Sequence, residues 1–166
     1  MDDKTHRIFL GAYSGKSLIS WGIRIHTWSK ISHTSIFLPD INDSSKPGKM
    51  VIEAWAGGVR KIEWNKGHKK RTKIYIGYIE CTKEQREKFY NYIYSKIGVK
   101  YDYKAILGFL LRMNIESRKG LFCSEFAYEA CKKASIDVLL RIKPYQVSPK
   151  LLYISPVVKC SEERIV

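Results

Sequence analysis

Residues 121–131 read LFCSEFAYEAC, and the rest of the chain is organised around this stretch. Phe122, Phe126 and Ala130 recur every four residues, which is the spacing of one face of an α-helix. Cys123 falls in the first turn of this predicted helix. Unpaired N–H groups and the positive end of the helix dipole at that position favour a thiolate. The pattern therefore leaves two interpretations open: a nucleophilic cysteine, or a small apolar residue that packs a buried helix.

The composition is that of one folded domain spanning residues 1–166. Hydrophobic residues make up 45% of the chain, which is enough for a single core and too apolar for disorder. The chain start lacks the pattern of a signal peptide, and no apolar run reaches membrane-spanning length. The four cysteines form no CxxC pair, so we expect free thiols and a cytoplasmic protein. With four scattered histidines, we expect neither a metal site nor another cofactor.

The charge of the chain is strongly positive, with a formal net charge of +14 at pH 7. Much of the excess lies in Arg60-Lys61 and in the run from Lys66 to Lys73. Such a run is commonly a solvated loop, but it also suits an anionic membrane surface, a nucleic acid or an acidic protein. Composition leaves these partners open.

The pattern along the chain predicts an α+β fold. Short β-branched and aromatic segments predict strands, and capping signals with helical spacing predict helices. The predicted strands cover residues 8–13, 31–38, 50–55, 59–64 and 73–79, and the predicted helices cover residues 16–28, 83–97, 105–111, 121–131 and 150–152. We expect a central antiparallel sheet packed against the helix that carries Cys123.

A cysteine nucleophile needs a nearby base, and the base needs a group that orients it. His33 near the start of one predicted strand and Glu53 inside the next have the right chemistry. Strands adjacent in sequence usually pair, so these side chains are expected to lie near each other. Glu53 stands in an otherwise apolar strand, and a buried carboxylate requires a partner. Taken singly, each residue also fits a structural role, as an edge-strand glutamate and a strand-end histidine.

Four segments resemble those of the circularly permuted NlpC-like papain-fold cysteine hydrolases. This group includes YiiX-like enzymes and the lecithin:retinol acyltransferase group. The order of histidine, acid and cysteine along this chain matches the permuted branch, and the resemblance covers nearly the whole chain. One departure is Gly11-Ala12, where the branch often has Gly-Asp. The matching segments are Ile31–Leu38, Val51–Val59, Gly98–Tyr103 and Phe122–Phe126.

The resemblance implies a permuted papain-like fold and a catalytic triad of Cys123, His33 and Glu53. It also implies hydrolysis or acyl transfer at an amide, ester or thioester bond, with a peptide, a peptidoglycan fragment or an acyl lipid as substrate. Tyr101 and Tyr103 are candidates for the site wall, although packing suits tyrosine equally well.

Two other functions stay open at this point. The same fold can serve as a non-catalytic basic binding module for an acidic partner or an anionic membrane surface. Nucleic-acid binding through residues 60–73 is the less favoured alternative, because the segment has the charge without a recognised motif.

Overall fold

Six antiparallel strands form one sheet in the part of the chain that the structure describes. That structure is a computed structural model, and it describes residues 5–100, 122–140 and 142–166. The strands are β1 (His6–Tyr13), β2 (His33–Pro39), β3 (Pro47–Trp55), β4 (Gly58–Glu63), β5 (Lys73–Cys81) and β6 (Lys159–Ile165). Their order in the sheet is β4-β3-β2-β1-β5-β6, which places β1 and β2 at the centre.

Four α-helices accompany this sheet within the described ranges. They are α1 (Leu18–His26), α2 (Lys83–Ser95), α3 (Cys123–Lys133) and α4 (Pro149–Tyr153), and a 3-10 turn spans Pro144–Gln146. The start of α2 is fixed by the predicted capping box, in which Thr82 and Gln85 each bond the other's backbone N–H. None of the described helices has the length and apolar character needed to cross a bilayer.

The larger core lies between the sheet and two helices. Helices α2 and α3 pack on the face of the sheet that carries Ile36 and Ile52. Phe126 and Ala130 of α3 are fully buried there, as the four-residue spacing predicts. The antiparallel sheet packed against the cysteine helix is therefore confirmed.

The opposite face of the sheet carries a second, smaller core. Because successive side chains of a strand point to opposite faces, odd-numbered residues of β1, β2 and β3 share this side. Its buried residues are Phe9, Tyr13, Phe37, Val51, Ile74 and Ile76. His33 and Glu53 have the same parity in their strands, so they belong to this face.

Two features of the fold differ from the sequence-based predictions. Strand β6 was not predicted, because its residues are mostly exposed and charged and show no apolar alternation. It is an edge strand held by backbone pairing with β5, and its charges protect the edge from further pairing. Helix α2 ends at Ser95 rather than at the predicted residue 97, so Ile97, which we expected to face the core as part of the helix, lies beyond its end and is 44% exposed. The predicted helix over residues 105–111, together with Tyr101 and Tyr103, lies outside the described residues.

Candidate active site

His33 and Glu53 form a buried hydrogen-bonded pair. The Nε2 atom of His33 lies 2.7 Å from Oε2 of Glu53, and the two residues are 4% and 0% exposed. The pairing of Ile36 with Ile52 places Glu53 opposite Ser35 rather than opposite His33. The expected contact is present, but it runs along a diagonal of the sheet, which is within reach of these side chains.

Arg60 holds the other oxygen of the Glu53 carboxylate. Glu53 and Arg60 are direct cross-strand partners on β3 and β4. Glu53 Oε1 accepts hydrogen bonds from Arg60 Nε at 3.0 Å and from Nη2 at 2.7 Å. Both charge-assisted hydrogen bonds go to this one oxygen, which leaves Oε2 for His33. The sequence does not single out Arg60, because it reads as one more cation of the basic segment.

Cys123 lies at the first position of α3 and is 3% exposed. Its side chain lies close enough to the His33 ring to interact with it electrostatically. Because Nε2 of His33 is engaged by Glu53, Nδ1 is the ring nitrogen left for the thiol. The structure thus brings the three candidate residues into one chain of contacts, and their catalytic role stays a prediction.

His68 is a fourth member of the cluster. Its side chain is 3% exposed, and its Nε2 lies 3.3 Å from Oε2 of Glu53. The orientation does not make a hydrogen bond, so this buried nitrogen has no hydrogen-bond partner within the described residues. The ring stacks on Tyr13 with centroids 4.4 Å apart, and Trp55 packs edge-on at 4.9 Å. In the sequence, His68 lies within a run of lysines, and such a run is ordinarily interpreted as a solvated loop.

The electrostatics of the cluster favour a charged pair. Burial would raise the pKa of Glu53, but its contacts with His33 and then His68 hold that pKa well below its usual range. Burial would likewise lower the pKa of His33. The interactions with Cys123, followed by those with Glu53, overcome this and raise the pKa of His33 to about 9.

The raised pKa of His33 predicts a window of pH-dependent stability. The stabilisation from protonated His33 is complete below pH 6.5, its ordinary value, and is lost as the pH rises through about 9. We therefore expect the free energy of unfolding in EDTA, measured by chemical denaturation, to fall between pH 6.5 and about 9. His33→Gln should remove this part of the slope, whereas His6→Gln, at the far end of β1, should keep it. An unchanged slope in His33→Gln would contradict the assignment.

A cavity of about 160 Å³ opens beside His33. Ile19 and Ile23 of α1 form one wall, and His33 and Trp55 contribute to the other. A volume below about 300 Å³ is small for a whole ligand, so the cavity suits one apolar part of a larger substrate.

Comparison with solved structures finds a likeness in fold. No protein-family model matches the chain, and no curated protein matches it significantly. The crystal structure of metalloprotein YiiX from Escherichia coli O157:H7 matches with a TM-score of 0.69 at 18% identity. The match covers 98% of this chain and 99% of the YiiX chain. At this identity the likeness concerns the fold, and the chain therefore has a YiiX-like α+β fold.

Proposed function

We propose that the chain is a cysteine-nucleophile hydrolase or acyltransferase with Cys123, His33 and Glu53 as its triad. The observation that carries this proposal is the position of His33. The buried imidazole of His33 lies between the Cys123 thiol on one side and the Glu53 carboxylate on the other. This is the arrangement that nucleophile, base and orienting group require.

In the proposed reaction, the Cys123 thiolate attacks a carbonyl carbon and forms a C–S bond. The carbonyl π electrons move to oxygen and give a tetrahedral oxyanion. As this intermediate collapses, the bond to the leaving group breaks, and protonated His33 gives its proton to that group. Water or another acceptor, deprotonated by His33, then attacks the thioester and releases the Cys123 thiolate.

The start of α3 supplies the electrostatic support for this reaction. The first N–H groups of a helix have no partners within the helix, and they carry the positive end of the dipole. In this helix the Phe122 N–H is directed to the Glu125 carboxylate. The N–H of Cys123 is therefore the candidate donor to the oxyanion.

The cavity supports a substrate with an apolar portion next to the scissile bond. Ile19, Ile23 and Trp55 line it beside His33. An acyl lipid satisfies this better than a polar peptidoglycan fragment, since the apolar lining gains from contact with hydrocarbon. The bond cleaved is then an ester, thioester or amide of an acyl chain.

Selective alkylation of Cys123 tests the proposed thiol chemistry. Cys123 is 3% exposed, so the test uses iodoacetamide, a small alkylating reagent. Below pH 7 we expect Cys123 to react at least about tenfold faster than Cys160, which is exposed, because an activated thiol is more ionised. Cys131 should stay unlabelled, because burial, with a smaller contribution from Cys81, raises its pKa to about 12. Mass-spectrometric mapping after brief labelling measures these rates.

The control for this experiment removes the base without touching the thiol. His33→Gln should reduce labelling of Cys123 to the rate of an ordinary buried thiol, and His6→Gln should leave it unchanged. Labelling in EDTA also separates thiol chemistry from metal chemistry, which is the alternative because the structural neighbour is a metalloprotein. If Cys123 reacts no faster than Cys160, the proposed nucleophile is wrong.

We further propose that the chain acts at an anionic lipid surface. One face of α1 exposes Leu18, Trp21 and Ile25, which are 89%, 64% and 53% exposed, and Trp28, just beyond the helix end, is 88% exposed. The helical spacing of the first three residues puts them on one side, and Trp28 lines the same surface pocket as Trp21 and Ile25. We call these four residues the α1 stripe. Binding to a nucleic acid would leave these apolar side chains in water, whereas a lipid interface would bury them.

Positive charge adjoins the α1 stripe. Lys16, just before the helix, contacts the backbone carbonyl of Lys70 at 3.5 Å, which places the basic loop beside the start of α1. An apolar stripe flanked by cations matches the boundary between anionic headgroups and acyl chains. Because the inner side of α1 lines the cavity at His33, a lipid bound there would lie close to the proposed nucleophile.

A further inference from the structure

Three metal-ligand atoms converge at the base of the site. They are Nε2 of His33, Nε2 of His68 and one carboxylate oxygen of Glu53, and they all lie within 4.8 Å of one another. Oε2 of Glu53 is 2.7 Å from the first nitrogen and 3.3 Å from the second. One cation between them would therefore face all three atoms.

The donor set and its spacing suit zinc. Zinc takes histidine nitrogen and carboxylate oxygen at about 2.0–2.2 Å, so neighbouring ligands of a tetrahedral ion lie roughly 3.4 Å apart. The separation of His68 from Glu53 already has this value. The shorter separation of His33 from Glu53 has to open by less than about 1 Å, which a small side-chain rotation achieves.

His68 gives an independent indication of a ligand. Its ring is nine-tenths buried or more, and its Nε2 has no hydrogen-bond partner in the described part of the chain. A buried polar atom without a partner is destabilising, and native structures rarely tolerate one. The stack on Tyr13 and the edge contact with Trp55 pack the ring beside Glu53, with its Nε2 at 3.3 Å from Oε2. A cation between them supplies the missing partner.

Arg60 shapes the site in two opposing ways. Its two hydrogen bonds to Oε1 orient the Glu53 carboxylate, as outer groups around metal sites commonly do. Its positive charge also repels a divalent cation at the other oxygen. We therefore expect reversible binding, weaker than that of a structural zinc site.

We propose that His33, Glu53 and His68 bind Zn²⁺, and that this binding is mutually exclusive with the thiol chemistry. When His33 donates Nε2–H to Glu53, its Nδ1 is free to accept the Cys123 proton. When Nε2 binds zinc, the neutral ring carries its proton on Nδ1 and cannot act as a base. The exclusion rests on the proposed function, and the zinc site itself does not.

Zinc binding is tested without any acyl substrate. Metal-free protein is titrated with Zn²⁺ against a chromophoric chelator, and we expect one zinc per chain. His68→Gln should weaken binding by about 100-fold or more, and the matched His6→Gln should leave it unchanged. Circular dichroism establishes that each variant is folded. Unchanged binding in folded His68→Gln, or equal loss in His6→Gln, would overturn the site.

A cobalt(II) spectrum identifies the ligands in the unaltered chain. We expect the bands of a nitrogen and oxygen site without a thiolate charge-transfer band. Cys123→Ser should therefore bind zinc within about threefold of the unaltered chain. A strong charge-transfer band that Cys123→Ser removes would place the metal on the cysteine and overturn the three-residue site.

Iodoacetamide labelling measures the exclusion separately. Saturating Zn²⁺ should slow alkylation of Cys123 at least tenfold, and EDTA should restore the rate. In His68→Gln the same zinc concentration should slow it far less, relative to that variant in EDTA. If zinc binds but does not slow alkylation of Cys123, the metal site is supported and the mutual exclusion of zinc binding and thiol chemistry is refuted. A Cys123 that is unreactive even in EDTA would refute the proposed function instead.

Discussion

Replacing Glu53 by glutamine is expected to slow acylation of Cys123 by about 10⁴-fold, although the side chain keeps its shape. Arg60 directs two N–H groups at Oε1 of Glu53, so the amide oxygen of glutamine must take that position. The amide nitrogen then faces His33 Nε2 and donates to it. This moves the imidazole proton to Nδ1, where it faces the thiol, and the ring loses its capacity as a base. A serine triad with the equivalent change loses activity to about this extent for the same reason.

The rate of acyl-enzyme formation, followed by intact-protein mass with an activated acyl probe, measures this effect. Glu63→Gln is the matched control, because Glu63 is an exposed residue of the neighbouring strand β4. It should acylate at the unaltered rate. Circular dichroism and a denaturation curve separate the effect from unfolding, since Glu53 is buried between partners. If folded Glu53→Gln acylates within about threefold of the unaltered chain, then Glu53 does not orient His33.

Removing both tryptophans of the α1 stripe is expected to weaken binding to anionic vesicles by at least about tenfold. Trp21 and Trp28 are 64% and 88% exposed, and each buries a large apolar surface when it enters a lipid interface. A loss of about 1.4 kcal/mol already corresponds to a factor of ten in affinity. Vesicle flotation of Trp21→Ala/Trp28→Ala, with phosphatidylserine as the anionic lipid, gives the measurement.

Two controls separate the contribution of the α1 stripe to vesicle binding from nonspecific hydrophobic adsorption and from electrostatic attraction. Ile25→Ala should weaken binding, whereas Ile41→Ala should not, although Ile41 is 95% exposed on the loop between β2 and β3. Raising the salt concentration should weaken binding of every variant, because exposed charges are screened within about 8 Å at physiological ionic strength. Equal binding to neutral and anionic vesicles, or equal effects of the two isoleucine variants, would refute the proposed lipid surface.

The α1 stripe shows which features of a helix its sequence periodicity can predict. Helical spacing within the predicted helix over residues 16–28 puts Leu18, Trp21, Gly22 and Ile25 on one face, and the structure has a helix there over Leu18–His26. Which way that face turns is not encoded in the period. Ser20 and Ile23 are the buried residues of α1, and the more hydrophobic side faces outward. The period of a helix fixes which residues share a face, and it does not fix which face is buried.

Local signals determine the elements that carry the candidate site. The four-residue spacing in residues 121–131 is enough to predict a buried helix with Cys123 in its first turn. Alternation and turn residues are enough to predict two strands, one with His33 near its start and one that contains Glu53. These features depend on residues a few positions apart, where backbone geometry dictates which side chains share a face.

The composition of the site depends on contacts between distant segments, which tertiary structure alone decides. The strand register puts Glu53 on a diagonal from His33 and directly opposite Arg60, so the carboxylate has two partners rather than one. The basic loop folds back and places His68 between Tyr13 and Trp55. The residues that flank His68 in the sequence do not indicate that it is buried. Local sequence sets the period of a strand or helix, but the register between strands and the path of a loop follow from the packing of the whole core.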